Sequence, residues 1–364
     1  MARRVVVKVG SGVLSGGGNG LDAATVRRLA GEVAAARASG DEVVLVSSGA
    51  ILAGRARLAL KGRPSVQLKQ AAAAVGQGRL MAAWESAFSA HRLTVAQVLL
   101  TGDDLRDRGR YLNARNTLLA LLRLGVVPVV NENDTVAVEE IKFGDNDGLS
   151  ALVAGLVDAA VLVLLTDQDG LYTADPRRDP QARLIPELAA GAPAARIGGA
   201  GPAGTGGMAS KVRAARQAAA GGVLAVVANG SKAGTLAAVL SGAAAGTRFP
   251  PSASPLARRR QWLAFASKPK GRVVVDAGAR AALEEKGRSL LASGVKAVTG
   301  DFAPGDAVSL VEGGAEFARG LTNFGSAELE RIKGRKTAEI EAILGAKPAD
   351  EVVHRDNLAL REDA

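Results

Sequence analysis

Short β-branched runs alternate with stretches of helical periodicity through the first two-thirds of this 364-residue chain, and that alternation restricts its fold more than any other feature. The runs at 5–9, 43–46, 126–130, 161–165 and 223–227 are rich in Val and Leu, without the polar alternation of a half-exposed strand. They read as buried parallel strands. Between the first two, Val26, Leu29, Ala30 and Val33 recur at helical spacing, Asp22 is placed to cap the start, and Gly40 follows the end. Repetition of this strand–helix–strand unit implies an α/β class: a three-layer αβα sandwich with a mainly parallel central sheet, whose ligands sit at the carboxyl ends of the strands. Residues 135–143 depart from the pattern, because Val136, Val138, Ile141 and Phe143 alternate as a small hairpin would. They form a candidate lid.

The chain is too long for one ordinary domain. From 241 to 270 the periodicity lapses into Pro250, Pro251 and Pro255, the basic cluster Arg258-Arg259-Arg260, and Pro269. The expected division is a catalytic domain over 1–255, a linker over 256–269, a small β-rich domain over 270–350 and a tail over 351–364. Short strands are expected at 272–275, 295–299, 305–311 and 317–323, a helix at 279–286, and one last helix at 326–344.

Composition narrows the chemistry. With no cysteine, disulfides, thiolate metal sites and thiol catalysis are excluded together. His91 and His354 are the only imidazoles, which disfavours a His-based triad or a multi-His metal site and leaves Lys, Asp, Asn, Ser and backbone amides. A formal net charge of +10 suits nucleotides, acidic metabolites or nucleic acid without choosing among them. Apolar runs are broken well short of the roughly 20 residues that span a bilayer. The start passes through Arg3 and Arg4 directly into a strand, unlike a signal peptide, so a cytoplasmic protein is expected.

Six segments, two of them bracketing the candidate lid, fall at strand ends or helix starts. Lys8-Val9-Gly10-Ser11-Gly12 sets a lysine in a buried strand before two glycines that let backbone N–H groups approach an anion. It matches neither the P-loop nor the dinucleotide fingerprint, and also reads as a snorkelling lysine before a turn. Ser47-Ser48-Gly49-Ala50 turns into a helix whose N-terminus suits a carboxylate or phosphate, and lacks the context of a nucleophile elbow. Asn131-Glu132-Asn133-Asp134 and Gly144-Asp145-Asn146-Asp147 bracket the 135–143 alternation, offering amides for a carboxylate and carboxylates for an ammonium. Turn chemistry, with Asp147 as a helix cap, is the alternative. Thr166-Asp167-Gln168-Asp169-Gly170 closes another strand. Gly204-Thr205-Gly206-Gly207-Met208-Ala209-Ser210-Lys211 opens a helix with a lysine one turn inside, a phosphate-holding arrangement or a flexible linker.

Taken in order, these segments, with Asn113-Ala114-Arg115-Asn116-Thr117, resemble the amino-acid kinase family, and within it the branch that phosphorylates glutamate. The region after Lys268, including Ser293-Gly294-Val295-Lys296-Ala297-Val298-Thr299-Gly300, resembles a PUA domain. The resemblance implies ATP and Mg2+ as cofactors and glutamate as acceptor, with aspartate or acetylglutamate as rival acceptors. It implies that Lys8 and Lys211 touch the transferred phosphoryl group and that Asp147 orients them. Ser48, Asp134 and Asn146 would bind glutamate, and Lys8, Thr166, Asp167 and Thr205, Gly206, Gly207, Met208, Ala209, Ser210 and Lys211 would hold ATP. It further implies a homo-oligomer, proline as a feedback inhibitor, and RNA as a partner of the PUA-like domain. Departures are small: Ser47 stands where the family often has Thr, Ala209-Ser210 replaces Ser-Thr, Asp169 replaces a frequent Lys, and Ala277 a frequent Glu.

Overall fold

A strand buried on both faces finds hydrogen-bond partners for its backbone only in neighbouring strands, so the Val- and Leu-rich runs pair into one sheet. The structure, a computed structural model, describes residues 2–62, 64–137, 146–176, 178–189, 207–252, 267–346 and 348–360. The first sheet contains β1 (Arg4–Val9), β2 (Glu42–Ser47), β3 (Val95–Leu100), β4 (Val127–Glu132), β5 (Val161–Thr166), β6 (Leu224–Asn229) and β7 (Thr247–Phe249). Their order is β3-β4-β2-β1-β5-β6-β7, parallel throughout except for β7, which runs antiparallel to β6.

The expected three-layer α/β arrangement is present, with two additions. β3 is an edge strand with Gln97 exposed at its centre, so it lacks the continuous apolar run that marks the buried strands. β7 is three residues long and lies inside the stretch where periodicity lapses. Neither carries a pattern long enough to read from sequence.

The helices of this unit are α1 (Ser11–Leu14), α2 (Ala23–Ala38), α3 (Ala50–Arg57), α4 (Val66–Ser89), α5 (Gly102–Arg106), α6 (Arg108–Arg123), α7 (Asn146–Leu156), α8 (Met208–Ala220) and α9 (Thr235–Leu240). Asp22 caps α2, accepting from the amides of Ala24 and Thr25 at 3.3 and 3.0 Å. Val5, Val7 and Val9 face the layer of α2 and α4, where they meet Val26, Leu29, Val33, Leu80 and Trp84. Strand alternation turns Val6 and Lys8 to the other face, which α7 and α8 cover. α7 is apolar and buried on nearly every side, as expected for a helix sealed inside a layer.

The second compact unit, described over 267–346 and 348–360, has its own sheet. Its elements are β8 (Gly271–Val275), α10 (Ala277–Glu284), β9 (Val295–Gly300), β10 (Ala307–Glu312), β11 (Ala315–Leu321), α11 (Ser326–Ile332), α12 (Ile340–Leu344) and β12 (Leu358–Leu360), with strand order β12-β11-β10-β8-β9. Two expectations differ from what is found. The helix expected over 326–344 is interrupted, because Gly334 takes φ 73° and its N–H bonds the Ala292 carbonyl at 2.8 Å instead of continuing the helix. The stretch after 350, expected as a tail, puts Val352 and Val353 in the core and adds β12 to the sheet edge. Of the candidate lid, residues 138–143 lie outside the described residues, as does Arg258-Arg259-Arg260 of the linker. Among the described residues no helix is long and apolar enough to cross a membrane.

One contact inside the first unit bears directly on the site. α3 and α4 cross backbone to backbone: a Cβ on Gly76 would lie 1.8 Å from the Ala50 carbonyl oxygen, and one on Gly54 the same distance from that of Ala72. This closeness fixes the start of α3, and with it the Ser48-Gly49 turn. Gly76→Ala should therefore destabilise the protein by about 1–3 kcal/mol or more, read as a lower denaturation midpoint in urea.

Candidate active site

Lys8 lies opposite Val46 and Leu164 near the carboxyl end of β1. Its side chain is almost wholly enclosed, and an ammonium taken out of water requires a partner. The partner is Asp147, fully buried in the first turn of α7, with Lys8 Nζ 2.5 Å from Oδ1. Lys211, one turn into α8, brings its Nζ to 3.2 Å from Oδ2 of the same carboxylate. The Ser210 hydroxyl donates to Oδ2 at 2.6 Å. Ser210, expected among the nucleotide contacts, thus has its hydroxyl on Asp147. Nor is Asp147 a helix cap: α7 begins one residue earlier and the carboxylate serves the two lysines.

The three charges come from a strand end and two helix starts, at the place where neighbouring strands of the sheet, β2 and β5, flank β1 on opposite sides. Such a topological switch leaves a crevice outside the carboxyl ends of the strands. Two ammonium groups share one carboxylate, so the cluster keeps a net positive charge. Burial pushes the Asp147 carboxyl up, but Lys8 and Lys211, with hydrogen bonds from Lys8 and Ser210, outweigh it and hold the group at about 2, below the ordinary 3.8. Gly207, at φ 109° before α8, leaves its carbonyl facing back toward the Ser210 hydroxyl at 2.9 Å.

One residue before Asp147, Asn146 belongs to a different set of contacts. Its Nδ2 donates to Ser48 Oγ at 3.0 Å and to Asn131 Oδ1 at 2.9 Å. The Glu132 amide donates to Asn131 Oδ1 at 2.9 Å and to Asn146 Oδ1 at 3.2 Å. Ser48, Asn131, Glu132, Asp134 and Asn146 line one side of a cavity of about 1370 Å³, bounded elsewhere by Ser11, the 18–20 turn and α3. The Ser48-Gly49 turn is held from behind. Gly49 takes φ 114°, where a side chain would press on Leu14 and Leu21, and Trp84 Nε1 donates to Ser47 Oγ at 2.9 Å.

At the end of β5, Thr166 is buried and its hydroxyl donates to Asp167 Oδ1 at 3.1 Å, while Asp167 is exposed. Next along, Asp169 accepts from Asn229 Nδ2 at 2.9 Å and pairs with Lys232 at 2.6 Å, contacts that hold its carboxyl below the usual range. Met208 and Ala209 form the first turn of α8. Thr205 and Gly206 lie outside the described residues.

The structure thus brings Lys8, Asp147 and Lys211 into contact, and sets Ser48, Asp134 and Asn146 on one cavity. Sequence reasoning passed over Arg55, Lys61 and Lys69, which also line the cavity. Their signal is a run of basic residues around the end of α3 and the start of α4, which sequence does not distinguish from a solvated helix face. Sequence reasoning read Asn131 only as one of a cluster of amides, with no sign that it links Asn146 to α4, and gave no role to Lys232, whose partner Asp169 lies 63 positions earlier.

The amino acid kinase family model matches residues 3–229 and a PUA domain model matches residues 271–344. The chain belongs to the amino acid kinase family. Glutamate 5-kinase of Citrifermentans bemidjiense is 52% identical over 363 residues, covering 98% of this chain and 97% of that one. Glutamate 5-kinase of Ralstonia pickettii is 53% identical over 364 residues, covering 99% and 97%. Among solved structures, carbamate kinase from Giardia lamblia bound to AMP-PNP aligns with a TM-score of 0.52 at 19% identity, covering 69% of this chain and 99% of that one, a likeness of fold.

Because the folded Asp147 value lies below its unfolded one, the stabilisation this carboxylate gives is whole above about pH 4 and is lost as pH falls through about 2. Urea midpoints measured from pH 5 down to pH 2 should fall more steeply for the unaltered protein than for Asp147→Asn, which has no proton to take up at that position.

Proposed function

We propose that this chain transfers the γ-phosphoryl group of ATP to the side-chain carboxylate of glutamate, giving glutamyl 5-phosphate and ADP, the first step of proline biosynthesis. One observation carries the reading. Asn146 and Asp147 are adjacent, yet one faces a polar cavity and the other holds two buried ammonium groups, so an acceptor in the cavity lies beside a site built for phosphoryl charge. Near-full-length relatives at over half identity, themselves glutamate 5-kinases, support glutamate as the acceptor.

The chemistry asks for little else. The acceptor carboxylate has an ordinary pKa of about 4.3, so it is ionised at neutral pH and needs no general base. One of its oxygens bonds to the γ-phosphorus as the bond to the ADP oxygen breaks, and no proton changes hands. The obstacle is bringing one anion onto another, where each pair of unit charges about 4 Å apart costs roughly 4 kcal/mol at an effective dielectric of 20. Lys8 and Lys211 oppose that cost with charges already in place, and Asp147 keeps them close despite their mutual repulsion. Ser48, Asp134 and Asn146 take the acceptor, and the start of α8 with Thr166 and Asp167 takes the nucleotide.

ATP arrives with Mg2+, which neutralises triphosphate charge. Among the described residues there is no group of three or more His, Cys, Asp or Glu able to hold a metal, and both Asp147 oxygens face ammonium groups. This donor set fits a cation carried largely by phosphate oxygens and water, as Mg2+ commonly is, with Asp167 of the nucleotide segment an exposed carboxylate that could add one ligand.

Lys8→Ala and Lys211→Ala should each lower kcat more than tenfold with far-UV circular dichroism unchanged. Full activity in either variant removes that lysine from the mechanism. Asp147→Asn should lower kcat more than it raises the ATP KM; a defect confined to ATP affinity contradicts the orienting role. Hydroxamate trapping of the acyl phosphate should give product with glutamate and far less with aspartate or acetylglutamate, and added proline in the same assay tests feedback inhibition.

A further inference from the structure

Asn131 is buried, and the donors around it leave its amide one orientation. The Glu132 backbone N–H can only donate, and it points at both Asn131 Oδ1 and Asn146 Oδ1. With both oxygens turned to that N–H, each Nδ2 must look elsewhere. Asn146 Nδ2 spends its two protons on Asn131 Oδ1 and Ser48 Oγ. Asn131 Nδ2 is directed away from the cavity, where Gln77 Oε1 of α4 accepts from it at 2.8 Å. Gln77 is in turn oriented by Gln97 of β3, to whose Oε1 its Nε2 donates at 3.1 Å. The hydrogen bonds therefore run with one polarity from Gln97 to Asn146, whose amide then donates on both sides, to Asn131 and to Ser48 at the cavity.

That polarity has a consequence at Ser48. Its hydroxyl oxygen accepts from Asn146, so the hydroxyl's one proton is left to donate into the cavity. A carboxylate can only accept, and a serine so arranged is primed for one. We infer that Gln77 is a positioning residue for the acceptor site: it accepts from Asn131, and through Asn131 and Asn146 keeps Ser48 presented as a donor to the substrate carboxylate. With an apolar side chain at 77, the buried Asn131 Nδ2 loses its acceptor. It has to turn to find another, which withdraws Oδ1 from Asn146 and lets Asn146 loosen its hold on Ser48. The inference rests on the acceptor site proposed above, in which Ser48 and Asn146 contact glutamate.

The test compares Gln77→Met, Gln77→Glu and Ser48→Ala in steady-state kinetics with glutamate and ATP varied separately. Methionine keeps the length but cannot replace the amide acceptor, whereas a glutamate carboxylate accepts from Asn131 as Gln77 does and, being unable to donate to Gln97, takes an N–H from that exposed amide once it has turned. Gln77→Met should raise the glutamate KM at least fivefold and leave the ATP KM within twofold. Gln77→Glu should restore the glutamate KM to within twofold of the unaltered protein. Partial unfolding lowers the active fraction and therefore the apparent kcat, not KM, so a loss of folded protein is not mistaken for the effect. If Ser48→Ala raises the glutamate KM but Gln77→Met does not, or if Met and Glu at 77 raise it alike, the positioning role is overturned while the acceptor site stands. An unchanged glutamate KM in Ser48→Ala overturns the acceptor site and the positioning role together.

Discussion

A carboxylate held between two ammonium groups, all three nearly out of water, is the interaction on which the rest of the catalytic unit depends. Isolated, any of these charges would be too costly to bury; together they are tolerable only if the geometry is kept. Keeping it requires β1 to deliver Lys8, α7 to start where it does, and α8 to turn in at Gly207. Each requirement explains a feature that otherwise looks incidental: a lysine among valines, a helix sealed on nearly all sides, and a glycine just ahead of α8.

The same helix start joins charge to recognition. Because Asn146 and Asp147 are consecutive, one helix start sets the polar cavity beside the lysine pair. Preorganisation of this kind suits phosphoryl transfer to a carboxylate, in which the nucleophile is already ionised and the barrier lies in positioning and charge. The shortage of histidine then matches the reaction, since no proton has to be taken.

Much of the architecture was legible beforehand for a local reason. Strands buried on both faces must be apolar along their whole length, so β1, β2, β4, β5 and β6 announce themselves in sequence. β3 did not, because an edge strand is only half covered and tolerates Gln97; β7 did not, because three residues carry no period. The break after Ile332 depended on a carbonyl from Ala292, some forty positions away, and no periodicity reports a distant acceptor. Val352 and Val353 read as tail for the same reason, their burial being decided by the sheet they return to.

Sequence alone determined the residue types available for chemistry, the order of the buried strands, and a set of glycine, lysine and amide segments whose joint order resembles one family. Those are properties of neighbours along the chain, set by backbone periodicity and turn chemistry. Only the tertiary structure decided which charges share a partner, that Ser210 serves Asp147, and that Gln77 and Asn131 stand behind Ser48. Electrostatic pairing and hydrogen-bond polarity act over a few ångströms in space, and residues 8, 147 and 211 come within that range only once the sheet and its covering helices are in place.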